Sequence, residues 1–210
     1  EQGRLPDDSA VATARAASRW RDLRLTDAGA IKDTPGVAVD LGGIAKGYAI
    51  DAAVEALQRA GCDSGLVEIG GDIRCFEQRA GADPWIIDVR DPFDADRRMD
   101  YLAVPAGAVC TSGNYARYVE IDGRRYSHVV DPRTGRPADR VPSVTVLAPS
   151  ATVADAWATA LSVLGPAGLD RLPDGAEAML VTGTPTHYQV HATEGYRRLR
   201  AAFHEGARSD

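Results

Sequence analysis

Aromatic side chains are scarce in this chain: three Trp, three Phe and seven Tyr among 210 residues. Cysteine is scarcer still. Cys62, Cys75 and Cys110 are odd in number and form no Cys-x-x-Cys pair. That argues against a disulfide framework and against a structural zinc site, and leaves three small buried thiols as the expectation. No apolar run approaches the ~18 residues that span a bilayer, and no apolar signal core follows Glu1-Gln2-Gly3-Arg4. Cationic side chains are in deficit, 24 Lys and Arg against 30 Asp and Glu, for a formal net charge of -6. Sequence-independent nucleic-acid binding needs dense cationic contacts to phosphate, so no nucleic-acid partner is expected. The Walker A loop and the Gly-x-Gly-x-x-Gly dinucleotide fingerprint are both missing. So are internal repeats, low-complexity tracts and obvious linkers.

What is present is ordinary globular material. Hydrophobic residues make up 44% and charged residues 26%, near the soluble average, and the length suits one domain or two small ones. Asp7-Asp8-Ser9 can cap a helix running to about Arg21. Leu23 to Leu25 and Val37 to Leu41 read as strands, the second ended by Gly42-Gly43. A helix follows from about Ala45 to Ala60, with a broad apolar stripe and Gly61 suited to its C-terminal cap. Leu66 to Ile69, Ile73 to Phe76, Trp85 to Val89 and Tyr101 to Val104 are further strand candidates, with a charged surface loop over Asp91 to Asp100. Tyr115 to Ile121 and Arg125 to Val130 flank Asp122-Gly123, the dipeptide that a type I′ hairpin favours. Asp131-Pro-Arg-Thr-Gly135 reads as a tight turn. A strand over Val144 to Leu147, helices over Thr152 to Leu164 and Pro166 to Leu172, and a closing strand pair, Ala178 to Val181 and Thr186 to His191, complete the chain. The order is neither strictly alternating nor all-β. It predicts an α+β fold with a largely antiparallel sheet and packed helices.

Four places can carry chemistry. Asp40-Leu-Gly-Gly-Ile-Ala-Lys46-Gly-Tyr48 is a glycine turn entering a helix. Its unpaired N–H groups and Lys46 suit an anion, and Asp40 can accept from ribose or ring N–H donors; the same residues also suit a tight turn with a solvated lysine. Gly70-Gly71-Asp72 is a second glycine turn after an apolar strand. His128 follows Ser127 near the end of the hairpin, where alternation would put Tyr126, His128 and Val130 on one face. It is either a general acid or base, with a free pKa near operating pH, or a half-buried histidine bonded to the sheet. His187, His191 and His204 read as surface or structural. Asp155 and Thr159, four apart on a helix, share one face, and their oxygens suit Mg²⁺; alternatively Thr152-Val-Ala-Asp155 is a capping box.

In combination these segments resemble the ApbE family, the FAD:protein FMN transferases. The resemblance rests on Asp40-Leu-Gly-Gly-Ile-Ala-Lys-Gly-Tyr-Ala-Ile-Asp51, Glu68-Ile-Gly-Gly-Asp72, Thr111-Ser-Gly113, Tyr126-Ser-His-Val-Val-Asp-Pro-Arg-Thr-Gly135 and Ala154-Asp-Ala-Trp-Ala-Thr-Ala160, in that order. It implies an α+β, T-fold-related architecture. It implies an enzyme that splits FAD and moves FMN onto a Thr hydroxyl of an acceptor protein, releasing AMP, with Mg²⁺ or Mn²⁺ as cofactor. Some members instead hydrolyse FAD to FMN and AMP, and a flavin-binding module without turnover is a third reading. Carried over by position, Asp155, Thr159 and the backbone oxygen of Gly43 resemble the metal ligands. Asp40, Lys46 and Val129 resemble FAD contacts, Val129 through its backbone, and His128 resembles the base for the acceptor hydroxyl. Some members have an acid just before the metal-binding Thr; Ala158 stands there in this chain, which implies more water in the metal shell. Full-length members have a longer section ahead of the Asp-Leu-Gly-Gly segment, including a Met-Gly-Thr segment not found here. Residues 1–210 are therefore expected to be a single catalytic domain without that section.

Overall fold

Asp7 does cap the first helix, accepting from the Ala10 N–H, but the helix, α1 (Asp8–Ala17), stops short of Arg21 and buries no residue. The protein is represented by a computed structural model that describes residues 4–77, 83–114 and 118–200. After α1 come a short 3₁₀ turn and the hairpin β1 (Leu23–Thr26) and β2 (Gly29–Lys32), whose second strand the sequence did not suggest. Val37 to Leu41 is not a strand. It alternates like one, but Val39 and Leu41 are exposed and, among the described residues, no neighbouring strand pairs with it.

The order then runs α2 (Ala45–Arg59), β3 (Gly65–Ile69), β4 (Asp72–Phe76), β5 (Trp85–Arg90), β6 (Arg98–Val104), β7 (Gly107–Gly113), β8 (Tyr118–Ile121), β9 (Arg124–Ser127), β10 (Val130–Asp131), β11 (Arg136–Pro137), β12 (Ser143–Ala148), α3 (Ala151–Leu164), β13 (Glu177–Thr184), β14 (His187–Ala192) and α4 (Glu194–Arg198). Pro166 to Arg171 forms a 3₁₀ turn rather than an α-helix. Six strands make one antiparallel sheet, in the order β14-β13-β12-β7-β4-β3. The α+β expectation holds. Asp122 and Gly123 both have positive φ, 51° and 73°, as a type I′ turn requires. Part of the expected first hairpin strand, residues 115–117, lies outside the described residues, as does His204.

Both faces of the sheet are covered. One face, with Cys110, Val144, Val146, Ala178 and Leu180, packs on Ile50 of α2 and on Ala151, Ala154, Ala158 and Leu161 of α3. The other, with Cys75, Val109, Leu147, Met179 and Val181, packs on Ile87 and Val89 of β5, Leu102 and Val104 of β6, and Tyr196 of α4. Neighbours such as Val109 and Cys110 face opposite ways because the side-chain period of a strand is two. Central β12 is consequently buried at all six positions. Cys62, by contrast, is exposed: it follows Gly61, which leaves α2 with φ of 88° and turns the chain toward solvent. The expected surface loop also differs, since Asp91 and Asp100 are buried. Each is held by an arginine, Arg97 for Asp91 and Arg200 for Asp100. Among the described residues no helix is long and apolar enough to cross a membrane.

Candidate functional site

The two long helices meet without side chains between them at Gly47. A Cβ there would lie 2.5 Å from the Ala151 carbonyl carbon and 2.8 Å from Thr152 Cα, so only glycine permits this approach. The approach lets the Gly47 N–H, in the first turn of α2 and without a partner inside it, reach across to the buried Asp155 Oδ2 at 3.0 Å. Asp155 therefore does not cap its own helix but bonds an N–H in the first turn of α2. Ser150 caps α3, accepting from the Val153 N–H, and Thr152 donates its hydroxyl to Asp51. One turn further along α3, Thr159 faces Gly43. A Cβ on Gly43 would lie 3.0 Å from Thr159 Cγ2 and 3.1 Å from Oγ1.

Gly43, Asp155 and Thr159 thus come together. Their carbonyl, carboxylate and hydroxyl are hard oxygen donors, the kind Mg²⁺ takes alongside waters and substrate phosphates. Glycine at 43 leaves the small space beside the Thr159 hydroxyl that a side chain would fill. The residues fit a divalent cation of that class. Among the described residues no group of three or more His, Cys, Asp or Glu is arranged to hold a metal, so a cation here would rely on mixed protein oxygens and water. Ala158 packs into the core and adds no oxygen.

Lys46 lies beside this cluster. Its Nζ is 2.5 Å from Oδ2 of Asp72, whose side chain is 1% exposed. The contact is a close ion pair to a buried carboxylate oxygen. Oδ1 accepts from the Thr111 N–H at 3.0 Å. Burial pushes the Asp72 carboxyl above the usual carboxylate range; Lys46 and the Thr111 N–H pull it back, and the charge of Asp155 adds to the rise. Asp72 is the site residue that sequence reasoning passed over. Its signal was present, since it ends the Glu68-Ile-Gly-Gly-Asp segment, but a carboxylate after two glycines reads as a turn. A cleft of about 450 Å³ opens alongside, between Gly70, Gly71 and Thr111 on one side and Arg90 and Arg98 of the β5–β6 pair on the other.

Asp40, Val129 and His128 stand outside these contacts. Asp40 Oδ1 accepts from the Gly42 N–H at 2.6 Å, an Asx-type turn that shapes the entry to the Gly42-Gly43 segment. His128 is exposed and lies between β9 and β10 rather than on a strand, so it does not share a strand face with Tyr126 and Val130. The segment is fixed from Ser127, whose N–H donates to Asp139 Oδ1 and whose hydroxyl donates to Asn114 Oδ1. Val129 has both backbone groups engaged: its N–H donates to Ser127 Oγ at 3.1 Å and its carbonyl accepts from the Ala138 N–H at 2.8 Å. A carbonyl has two lone pairs, so that oxygen can accept once more.

Fold and site together define a mixed α+β domain with an oxygen-rich, lysine-bearing cluster where two helices meet. The sequence model of the ApbE family matches residues 1–180, and the chain belongs to that family. It is 40% identical over 163 residues to a FAD:protein FMN transferase of Vibrio cholerae, covering 77% of this chain and 49% of that protein. It is 39% identical over 162 residues to the protein of that name from Rhodobacter capsulatus, covering 77% of this chain and 31% of that one. The solved ApbE protein of Thermotoga maritima superposes with a TM-score of 0.84 at 36% identity, over 94% of this chain and 65% of that one. The flavin transferase ApbE of Vibrio cholerae superposes with 0.79 at 33%, over 95% and 64%. The chain therefore spans about half, or less, of these curated relatives and under two thirds of these solved structures.

Proposed function

We propose that residues 1–210 act as a single catalytic domain for divalent-cation-dependent transfer of FMN from FAD to a Thr hydroxyl of an acceptor protein, with release of AMP. The observation that carries this reading is the meeting of Gly43, Asp155 and Thr159 beside the Lys46–Asp72 pair. The names of the relatives, FAD:protein FMN transferase, supply the reaction. Asp155, Thr159 and the Gly43 carbonyl would hold Mg²⁺ or Mn²⁺, which supplies positive charge to offset that building on the phosphoryl oxygens and on AMP.

The remaining work falls to the chain. Lys46 adds a cation at the same place, and Asp40 and the Val129 carbonyl bind polar groups of FAD. His128 takes the proton of the incoming hydroxyl. The Thr oxygen then bonds to the flavin-side phosphorus as the bond from that phosphorus to the bridging oxygen breaks, and AMP leaves with that oxygen and its electron pair.

The test is incubation with FAD, Mg²⁺ and a Thr-containing acceptor, read by intact-protein mass spectrometry and AMP release. A gain of one FMN on the acceptor with stoichiometric AMP is expected. Free FMN with an unlabelled acceptor would make water the acceptor instead. FAD binding without AMP release would reduce the domain to a binding module. Exchanging His128→Ala should lower transfer roughly 10²- to 10⁴-fold, the usual range for a general base, while FAD affinity is kept; unchanged transfer removes His128 from this role.

A further inference from the structure

The helix pair carries three contacts at regular spacing. On the α2 side they involve Gly43, Gly47 and Asp51, each four residues after the last. On the α3 side they involve Thr159, Asp155 and the Ala151–Thr152 pair, met in the reverse order. Four residues is close to one helical turn, so the contacts stack along one seam between antiparallel segments. The first two rungs bear the proposed cation ligands. The third bears none.

That third rung is the most densely bonded. Asp51 Oδ1 accepts from the Ala151 N–H at 2.9 Å and from Arg74 Nη1 at 2.6 Å. Oδ2 accepts from the Thr152 N–H at 2.9 Å and from the Thr152 hydroxyl at 2.6 Å. Ala151 and Thr152 are the first two residues of α3, whose N–H groups have no partner inside the helix. A carboxylate from another helix takes both, and an anion at a helix N-terminus is also favoured by the helix dipole. Ser150, the residue just before α3, caps the same terminus through its hydroxyl, which accepts from the Val153 N–H. Asp51 is therefore the group that ties the start of α3 to α2, while Arg74 of β4 holds its carboxylate from the sheet side.

We infer that Asp51 is a positioning residue for the cation site: it sets the register of α3 against α2 and so holds Asp155 and Thr159 opposite Gly43. This rests on the proposed cation site. Axial slip of α3 would move both side-chain oxygens away from a backbone oxygen that does not move with them. Cation affinity falls as a result, ahead of the fold.

The experiment compares Asp51→Asn with Ser150→Ala. Both remove part of the α3 cap, but only the first removes a link between the helices. Mn²⁺ is the probe, with the free ion counted by electron paramagnetic resonance and the melting temperature followed in parallel. Asp51→Asn should weaken Mn²⁺ binding about tenfold or more, and Ser150→Ala should leave it within twofold at a comparable loss of melting temperature. In turnover, the Mg²⁺ concentration for half-maximal rate should rise for Asp51→Asn, with kcat at saturating Mg²⁺ within about threefold of the parent. Equal Mn²⁺ affinity in both variants overturns the positioning role while the cation site stands. An equal drop in both makes Asp51 a stability residue only and overturns it as well. Failure of the parent protein to bind Mn²⁺ overturns the cation site and this inference together.

Discussion

At Gly47 the helix favours alanine and the packing forbids it. An alanine in a helix interior is favoured over glycine by about 1 kcal/mol. Here the added methyl would meet the backbone of Ala151 and Thr152, and backbone cannot swing aside as a side-chain tip can. Overpacking of this kind typically costs about 1–3 kcal/mol. Gly47→Ala is therefore expected to lower the urea midpoint despite its better propensity; a raised midpoint would mean that the helices do not touch there. Asp155, as a proposed cation ligand, is the reverse case, in which chemistry would outweigh packing. Across the helices it accepts from the Gly47 N–H, and a typical hydrogen bond contributes about 1 kcal/mol net. Asp155→Ala should cost stability of that order, yet lower Mg²⁺-dependent transfer at least about 100-fold, since loss of mere outer-shell partners of a metal already costs 10- to 100-fold. Activity retained per folded molecule would remove Asp155 from the cation site.

Among the elements, stability should be distributed unevenly. Helix α1 buries nothing and is tethered by Arg15, which donates to the carbonyl of Pro132 in the turn after β10 at 3.4 Å, and by the pairing of Asp8 with Arg136 of β11. β12 is buried throughout and bonded on both sides. Local opening free energies follow such differences, so amides of α1 should exchange orders of magnitude faster than those of β12, measured by native-state hydrogen exchange. Comparable rates would show that α1 is held by packing not seen here. The same contrast explains what the sequence could disclose. Helices α2 and α3 were legible because their apolar residues recur at helical spacing. β7 was not: Gly107-Ala-Val-Cys-Thr-Ser-Gly113 has small residues and flanking glycines where a strand signal needs β-branched and aromatic ones. Those residues are small because layers press on both faces of β7. Val37 to Leu41 had the opposite fault, a good pattern with no strand beside it. At the site, the spacing of Asp155 and Thr159 was visible within one helix. The work of Asp51 and Asp72 was not, because their partners lie 100 and 39 residues away and local spacing carries no trace of such a contact.

For the whole molecule, the proposed cation links folding to binding. A ligand that binds only the folded state stabilises it by about 2.7 kcal/mol at a hundred times its dissociation constant. Mn²⁺ at that excess should raise the melting temperature of the parent protein, and Asp155→Ala should abolish the rise; an equal rise in both would place the ion elsewhere. Gly47 and Asp155, the pair nearest this seam, are 108 residues apart in the chain. A cation gripped by Gly43 on one side and Asp155 and Thr159 on the other would close a loop of similar size. A covalent bridge over about 100 residues is worth on the order of 5 kcal/mol through the entropy it takes from the unfolded chain, which sets a ceiling for this weaker tie. Such an ion would also be a removable cross-link, and a chelator would act on this domain much as a reductant acts on a disulfide.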